Sequence, residues 1–310
     1  MFPDVTTAYI SHPACLQHET GSDHPESARR LYAIEDALIA DGLMNLLRRL
    51  DAPRASREQL CRVHSPDYLD EIERRAPRSG LVTLDTDTVM GPGSLEAAYR
   101  AAGAVVQGVN MVIHDDIDTV FCGIRPPGHH AGRSGAMGFC LFNNVAVGAA
   151  HALSEGIDRV AIVDFDVHHG NGTENIFQSD DRVMLCSVFQ HPFYPDTTLV
   201  TDSQHIIHAP LHAGAYSEEF QQTVEDNLLP ALHSFRPELI LVSAGFDSHF
   251  EDYMGQLNLL DSDYYWVTRE IMEVATQYAG GHVVSALEGG YEPHALGRAV
   301  VKHIRALMRL

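Results

Sequence analysis

The chain reads as an α/β fold of three layers, a central, mostly parallel sheet with helices on both faces. Three observations predict it. Five short runs rich in Val, Ile and Leu, at Thr119–Ile124, Val160–Phe165, Val183–Val188, Leu239–Ala244 and Val283–Leu287, have the composition of strands buried on both sides. Helical patterns separate them at Asn144–Ser154, Ser217–Phe235 and Asp263–Tyr278, and another runs from His294 to the C-terminus. Strands joined through helices become right-handed crossovers in a parallel sheet. The third observation is that four of these strands run directly into chemically unusual loops, and in open parallel sheets ligands bind beyond the carboxyl ends of the strands.

The region before the alternation is less regular. MFPDVTTAYISHP has no basic start and no sustained apolar stretch, so it is not read as a secretory signal, and no segment approaches a membrane span. The loop HPACLQHETGSDHPE carries His12, His18 and His24 at irregular spacing, which suits surface or loop-packing histidines. A turn at Asp23 and Pro25 then opens a helix with Leu31, Ile34 and Leu38 on one face, ending at Gly42. Ser65 and Pro66 start a second helix through Tyr68, Leu69 and Ile72, and the stretch to Val82 reads as loop. Asp85 and Asp87 follow in a loop, and Ser94 caps a buried helix to Ile113. With 310 residues and no visible linker, the chain is expected to be one domain, 1–310.

Composition excludes some functions. Forty-two acidic against 21 basic side chains give a formal charge of −21, which opposes binding to nucleic-acid phosphates and favours cationic ligands. Cys15, Cys61, Cys122, Cys140 and Cys186 are odd in number and form no CxxC pair, which fits reduced thiols and a cytoplasmic location. Cys122 and Cys186 read as core residues of strands.

The four loops carry the chemistry. After Phe165 come Asp166 and His168, two apart and so on one face if extended geometry continues; carboxylate oxygen and imidazole nitrogen are both zinc ligands. After Ile124 comes RPPGHHAGRSGAMGFC with adjacent His129 and His130. After Ala244 comes GFDSHFED with Asp247, and after Leu287 comes EGGYEP with Tyr291 behind two glycines. A third ligand for a metal at Asp166 and His168 has to come from one of the other loops.

With these pieces in hand, the chain resembles the zinc-dependent histone deacetylase family, in the wide sense that includes acetylpolyamine amidohydrolases and acetoin-utilisation proteins of the arginase/deacetylase fold. The likeness runs through HPACLQHETGSDHPE, DTDTVMGPGSLEAAYRAAG, GIRPPGHHA, GFCLFNNVAVGA, VDFDVHHGNGTENIF, LVSAGFDSH and LEGGY. Asn171 and Glu288 point to the class II branch and its bacterial histone deacetylase-like amidohydrolases. The resemblance implies a deacetylase with one zinc ion on Asp166, His168 and Asp247, because the chain continues from His168 to His169 and Gly170 rather than supplying the further acid of a two-metal DxHxD pattern. It also implies a structural potassium ion at Asp164, Asp166, His168, Ser187 and Val188.

In the same way it implies His130 as general base and acid, oriented by Asn171, His129 as its electrostatic partner held by Asp164, and Tyr291 as donor to the oxyanion. Phe139 and Tyr194, with Gly138 beside them, would line the channel, Asp87 would grip substrate amides at the rim, and Met254 would stand where polyamine-preferring relatives carry a glutamate. The expected substrate is an acyl-lysine protein or peptide, with an acylated small amine as the alternative and a non-catalytic acyl-lysine binder as a reading of another class. Self-association is left open. One stretch departs from the pattern: Asp196, Thr197 and Thr198 replace the usual Gly-Thr-Gly turn, and His212 stands where proline is common.

Overall fold

The computed structural model describes residues 6–114, 117–196, 199 and 203–310. The strands are β1 (Thr7–Ser11), β2 (Arg48–Asp51), β3 (Val82–Thr83), β4 (Val89–Met90), β5 (Thr119–Cys122), β6 (Val160–Asp164), β7 (Val183–Gln190), β8 (Ile206–Leu211), β9 (Leu239–Ala244) and β10 (Val283–Leu287). β3 and β4 make a small antiparallel ribbon. The other eight form a single sheet in the order β2-β1-β5-β10-β9-β6-β7-β8, every neighbouring pair parallel.

All five expected strands are present, and each residue of β5, β6, β7, β9 and β10 is buried, as continuous apolar runs require. β1, β2 and β8 were not expected. β2 is an exposed edge strand, RRLD, and β8 is the opposite edge, IIHAPL, with a proline that an interior strand would exclude. Edge strands lack the two-sided apolar burial that makes the others readable.

Helices cover the sheet in two groups. Ser94–His114 packs with Asn144–Ser154, while Pro293–Leu307 packs with both Arg29–Asp41 and Asp261–Tyr278. Ser65 caps the helix Pro66–Arg75 by accepting from Tyr68 N, and Gly42 ends Arg29–Asp41 in a left-handed conformation. The expected helix Ser217–Phe235 contains a π turn at Val224–Leu228, just before Pro230, whose missing N–H breaks the regular bonding. Two short helices, Arg57–Cys61 and Asn171–Phe177, went unexpected. Of the loop histidines, His18 is buried and bonded to Ser94 Oγ at 2.7 Å, so it is a packing residue. All five cysteines are free thiols. No helix among the described residues is long and apolar enough to cross a membrane.

The strand order positions the site. β5, β10, β9 and β6 lie side by side, so the four loops singled out in the sequence leave adjacent strands at their carboxyl ends.

Beneath the sheet His303 is fully buried between Thr268 Oγ1 at 2.6 Å and Ser285 Oγ at 2.8 Å, and burial pushes its pKa down to about 3. Its folded pKa is below the unfolded value, so its stabilisation is full above pH 6.5 and is lost as pH falls. Between pH 7 and 5 this one residue removes about 2 kcal/mol. Thermal denaturation of wild type and His303→Asn across that range should therefore give a shallower acid slope for the variant; parallel slopes would refute the assignment.

Candidate active site

The site is built on the turn after β6. Asp164 Oδ1 accepts from Asp166 N at 3.1 Å, and Asp166 Oδ1 accepts from His168 N at 2.9 Å, so each carboxylate fixes the backbone of the next ligand candidate. Asp247, in the loop after β9, accepts from Val167 N through Oδ1 at 3.0 Å. Gly289, after β10, donates its N–H to Asp166 Oδ2 at 2.8 Å. Three neighbouring strands are thus stitched together by carboxylates.

These bonds bring Asp166, His168 and Asp247 together. His168 Nδ1 lies 3.0 Å from Asp166 Oδ1 and 3.3 Å from Asp247 Oδ2, and all three residues are buried. Asp247 Oδ2 makes no hydrogen bond, a costly state for a buried carboxylate oxygen unless a cation faces it. A Cβ on Gly289 would fall 2.0 Å from that oxygen and 2.5 Å from Asp166 Oδ2, so only glycine leaves the space between the acids open. Two carboxylates and one imidazole with an unsatisfied oxygen fit a zinc-type ion.

Electrostatics agree with the donor set. Burial opposes charge on His168, yet its hydrogen bond to Asp166 and the nearby Asp247 carboxylate raise its pKa to about 9. Burial, reinforced by Asp166, pushes Asp247 up to about 6. At Asp166 burial is outweighed by His129 and His168, which hold the carboxyl below its usual range. The proton on His168 does the work of a missing positive charge, and a divalent cation on these atoms would displace it.

Beside this cluster stand two oriented histidines. His129 Nδ1 lies 3.0 Å from Asp164 Oδ2, and His130 Nδ1 lies 2.7 Å from Asn171 Oδ1. Their ring centroids are 4.0 Å apart, and that of His130 is 5.8 Å from His168. Burial opposes a proton on His129, but Asp166 and Asp164 raise its pKa to about 10. Burial, then His129 and His168, push His130 well below the usual histidine value. One histidine is cationic and its neighbour neutral at pH 7, a separation that suits a base beside an electrostatic partner.

The residues expected to line a channel stand against the same cluster and Tyr291. Tyr194 packs edge-on to His130 at 5.3 Å and to His168 at 5.8 Å, while Phe139 stands edge-on to Tyr291 at 5.8 Å. Gly138 has φ +55°, and a Cβ there would reach within 2.3 Å of His130 Cδ2. Burial raises the Tyr194 hydroxyl pKa, and Asp87, expected at the rim, raises it further. Met254 is half-buried, its N–H bonded to Asp252, whose other oxygen accepts from Tyr291 N and Glu292 N. Asp164 pairs in register with Ser187, so the end of β6 lies beside the middle of β7, where Ser187 and Val188, two of the five residues expected to hold potassium, stand. Asp196 adopts φ 55°, the region that favours glycine, in the place of the usual turn glycine; Thr197 and Thr198 lie outside the described residues.

Sequence reasoning missed the supports. Fully buried Arg30 donates to the carbonyls of Glu288 and Gly290 and lies 4.8 Å over the Tyr291 ring. Glu26 ties Arg30 to Arg125, and although burial opposes it, Arg125 above all holds its carboxyl down at about 2. Glu288, expected only as a branch marker, accepts from Gly128 N and His129 N and so fixes the histidine loop. Phe193 stacks on His168 at 5.4 Å. The four-residue spacing of Glu26 and Arg30 was one available signal; Arg125 and Asp252 lie inside GIRPPGHHA and GFDSHFED, but nothing local gave them a role.

Comparison with known proteins agrees with this arrangement. A family model described as the histone deacetylase domain matches residues 24–307. An uncharacterized Synechocystis protein is 39% identical over 300 residues, covering 94% of this chain and 96% of its own. A histone deacetylase-like amidohydrolase of Pseudomonas aeruginosa is 35% identical over 91% of this chain and 75% of its own, and a probable deacetylase of Archaeoglobus fulgidus is 33% identical over 93% and 82%. Among solved structures, the HDA15 HD domain superposes with a TM-score of 0.93 at 29% identity, over 98% of this chain and 90% of that one. The chain belongs to the histone deacetylase domain family, whose members are deacetylases and related amidohydrolases. Membership implies a hydrolase that uses a metal.

Gly289→Ala should keep the fold but push the two acids apart, with a loss of about a hundredfold or more in amide hydrolysis, as expected for an ångström-scale displacement of reacting groups. Near wild-type turnover in a folded Gly289→Ala protein would show that the space between Asp166 and Asp247 is not used.

Proposed function

We propose that residues 1–310 form one catalytic domain that hydrolyses the amide of acylated lysine side chains, with one zinc ion held by Asp166, His168 and Asp247. The observation that carries this reading is the approach of two buried carboxylates to His168 Nδ1, next to a charged and a neutral histidine. A zinc ion held there would supply Lewis acidity and an activated water.

The protein's own groups account for the proton movements. His130 is neutral because it is buried between His129 and His168, and its Nδ1–H donates to Asn171 Oδ1, which leaves the Nε2 lone pair free to take a proton and later return it to the departing amine. His129, kept protonated by Asp164 and Asp166, stabilises negative charge as it develops and does not exchange its own proton. Burial pushes the Tyr291 hydroxyl well above its usual pKa, so it remains a donor to the oxyanion. Arg30 and Phe139 flank its ring. Gly138, Phe139 and Tyr194 exclude water along the aliphatic stem of the substrate, Asp87 contacts its backbone at the rim, and apolar Met254 favours an acyl-lysine over a free polyamine. A structural potassium ion at Asp164, Asp166, His168, Ser187 and Val188 would brace the end of β6 against β7.

Tyr291→Phe should lower kcat by roughly 10²- to 10³-fold with little change in KM or Tm. Unchanged kcat would remove the tyrosine from the mechanism. For substrate class, kcat/KM on acetyl-lysine peptides is expected to exceed that on acetylspermidine, and chelation should abolish both. The opposite ranking would assign the site to acylated small amines, and turnover that survives full metal removal would refute the zinc reading.

A further inference from the structure

A second group of metal-competent side chains lies behind the catalytic turn. His169, Glu174 and His208 come from the turn after β6, from the helix Asn171–Phe177 and from the edge strand β8. His169 Nε2 and His208 Nε2 both lie 2.7 Å from the same oxygen, Oε2 of Glu174, with the two rings perpendicular at 89°. The imidazoles are nearly inaccessible, at 2% and 9% side-chain exposure, while Glu174 is 22% exposed.

We propose that these three residues form a second zinc-class cation site, separate from the catalytic cluster. Two imidazoles and one carboxylate are the donors that borderline divalent ions favour over calcium or magnesium, which prefer oxygen. His169 has the outer partner that a ligating histidine needs: Ser187 Oγ lies 3.1 Å from its Nδ1 and can accept the ring's remaining proton once a cation replaces the one between Nε2 and Glu174. Ligands of a tetrahedral ion at about 2.0–2.1 Å stand roughly 3.3 Å apart. The triad therefore opens by about half an ångström from its 2.7 Å spacing, a movement the partly exposed Glu174 side chain can supply. Glu174, though neither imidazole, lines an open cleft of about 590 Å³ together with His130 and Asn171, so the carboxylate is the side of the triad that solvent reaches.

The consequence is mechanical. β8 is an edge strand held on one side only, and a cation here ties it to the turn that carries His168 and to the helix that begins at Asn171. The site thus braces the catalytic turn from outside.

The test counts bound zinc after incubation with excess zinc and exhaustive dialysis, with folding checked by circular dichroism. Wild type should retain two equivalents, and His208→Ala and Glu174→Gln one each; the glutamine is near-isosteric and can still bond one imidazole, so it guards against a folding artefact. One equivalent in wild type, or two retained by both variants, overturns the second site and indicates a hydrogen-bonded triad. Asp247→Asn separates the two sites: it should lose the catalytic equivalent and keep the one bound by His169, Glu174 and His208.

Discussion

Four buried carboxylates, Asp164, Asp166, Asp247 and Glu288, stand at the ends of three adjacent strands, and the remainder of the site answers the cost of placing so much negative charge out of water. Backbone N–H groups of Asp166, Val167, His168, Gly289, Gly128 and His129 supply part of the compensation. His129 and His168 supply positive charge. Asp247 Oδ2 makes no hydrogen bond and has only the His168 ring, 3.3 Å away, against its charge, which gives a divalent ion its strongest reason to bind there.

The same charge distribution separates the two neighbouring histidines. They sit at similar depth, yet one faces two acids and the other faces two imidazoles. Opposite protonation states follow from that difference in neighbours and need no special geometry. A second buried ion network, Glu26 with Arg30 and Arg125, works on the backbone: through the carbonyls of Glu288 and Gly290 it holds the tyrosine loop in register with the acids. Glu26 and Arg125 are each fully buried, so their pairing is an obligation of burial as much as a source of stability.

Much of the fold was readable because burial on both faces forces continuous apolar composition, as in VAIVD and LILVSA. Where burial is one-sided the signal fades. RRLD and IIHAPL pair as edge strands through backbone bonds that their side chains do not advertise. The helix Asn171–Phe177 was hidden for another reason: its sequence is shared with the metal turn, and Gly170 and Gly172 read as loop. In the site, Asp166 and His168 were legible from local spacing, and Asn171 from motif. Arg30, Arg125 and Asp252 act on backbone groups up to 260 residues away in the chain, which no local pattern can encode.

The sequence alone determined the strand composition, the helical crossovers and the residue types at each strand end, since each depends on interactions within a few residues. The tertiary structure decided that β5, β10, β9 and β6 are neighbours, that Asp247 Oδ2 is left without a donor, and that His208 on an edge strand meets Glu174. The reason lies in the parallel topology: strands distant in the chain are set about 4.8 Å apart, and only that closure makes side chains from separate loops share one ion or one proton.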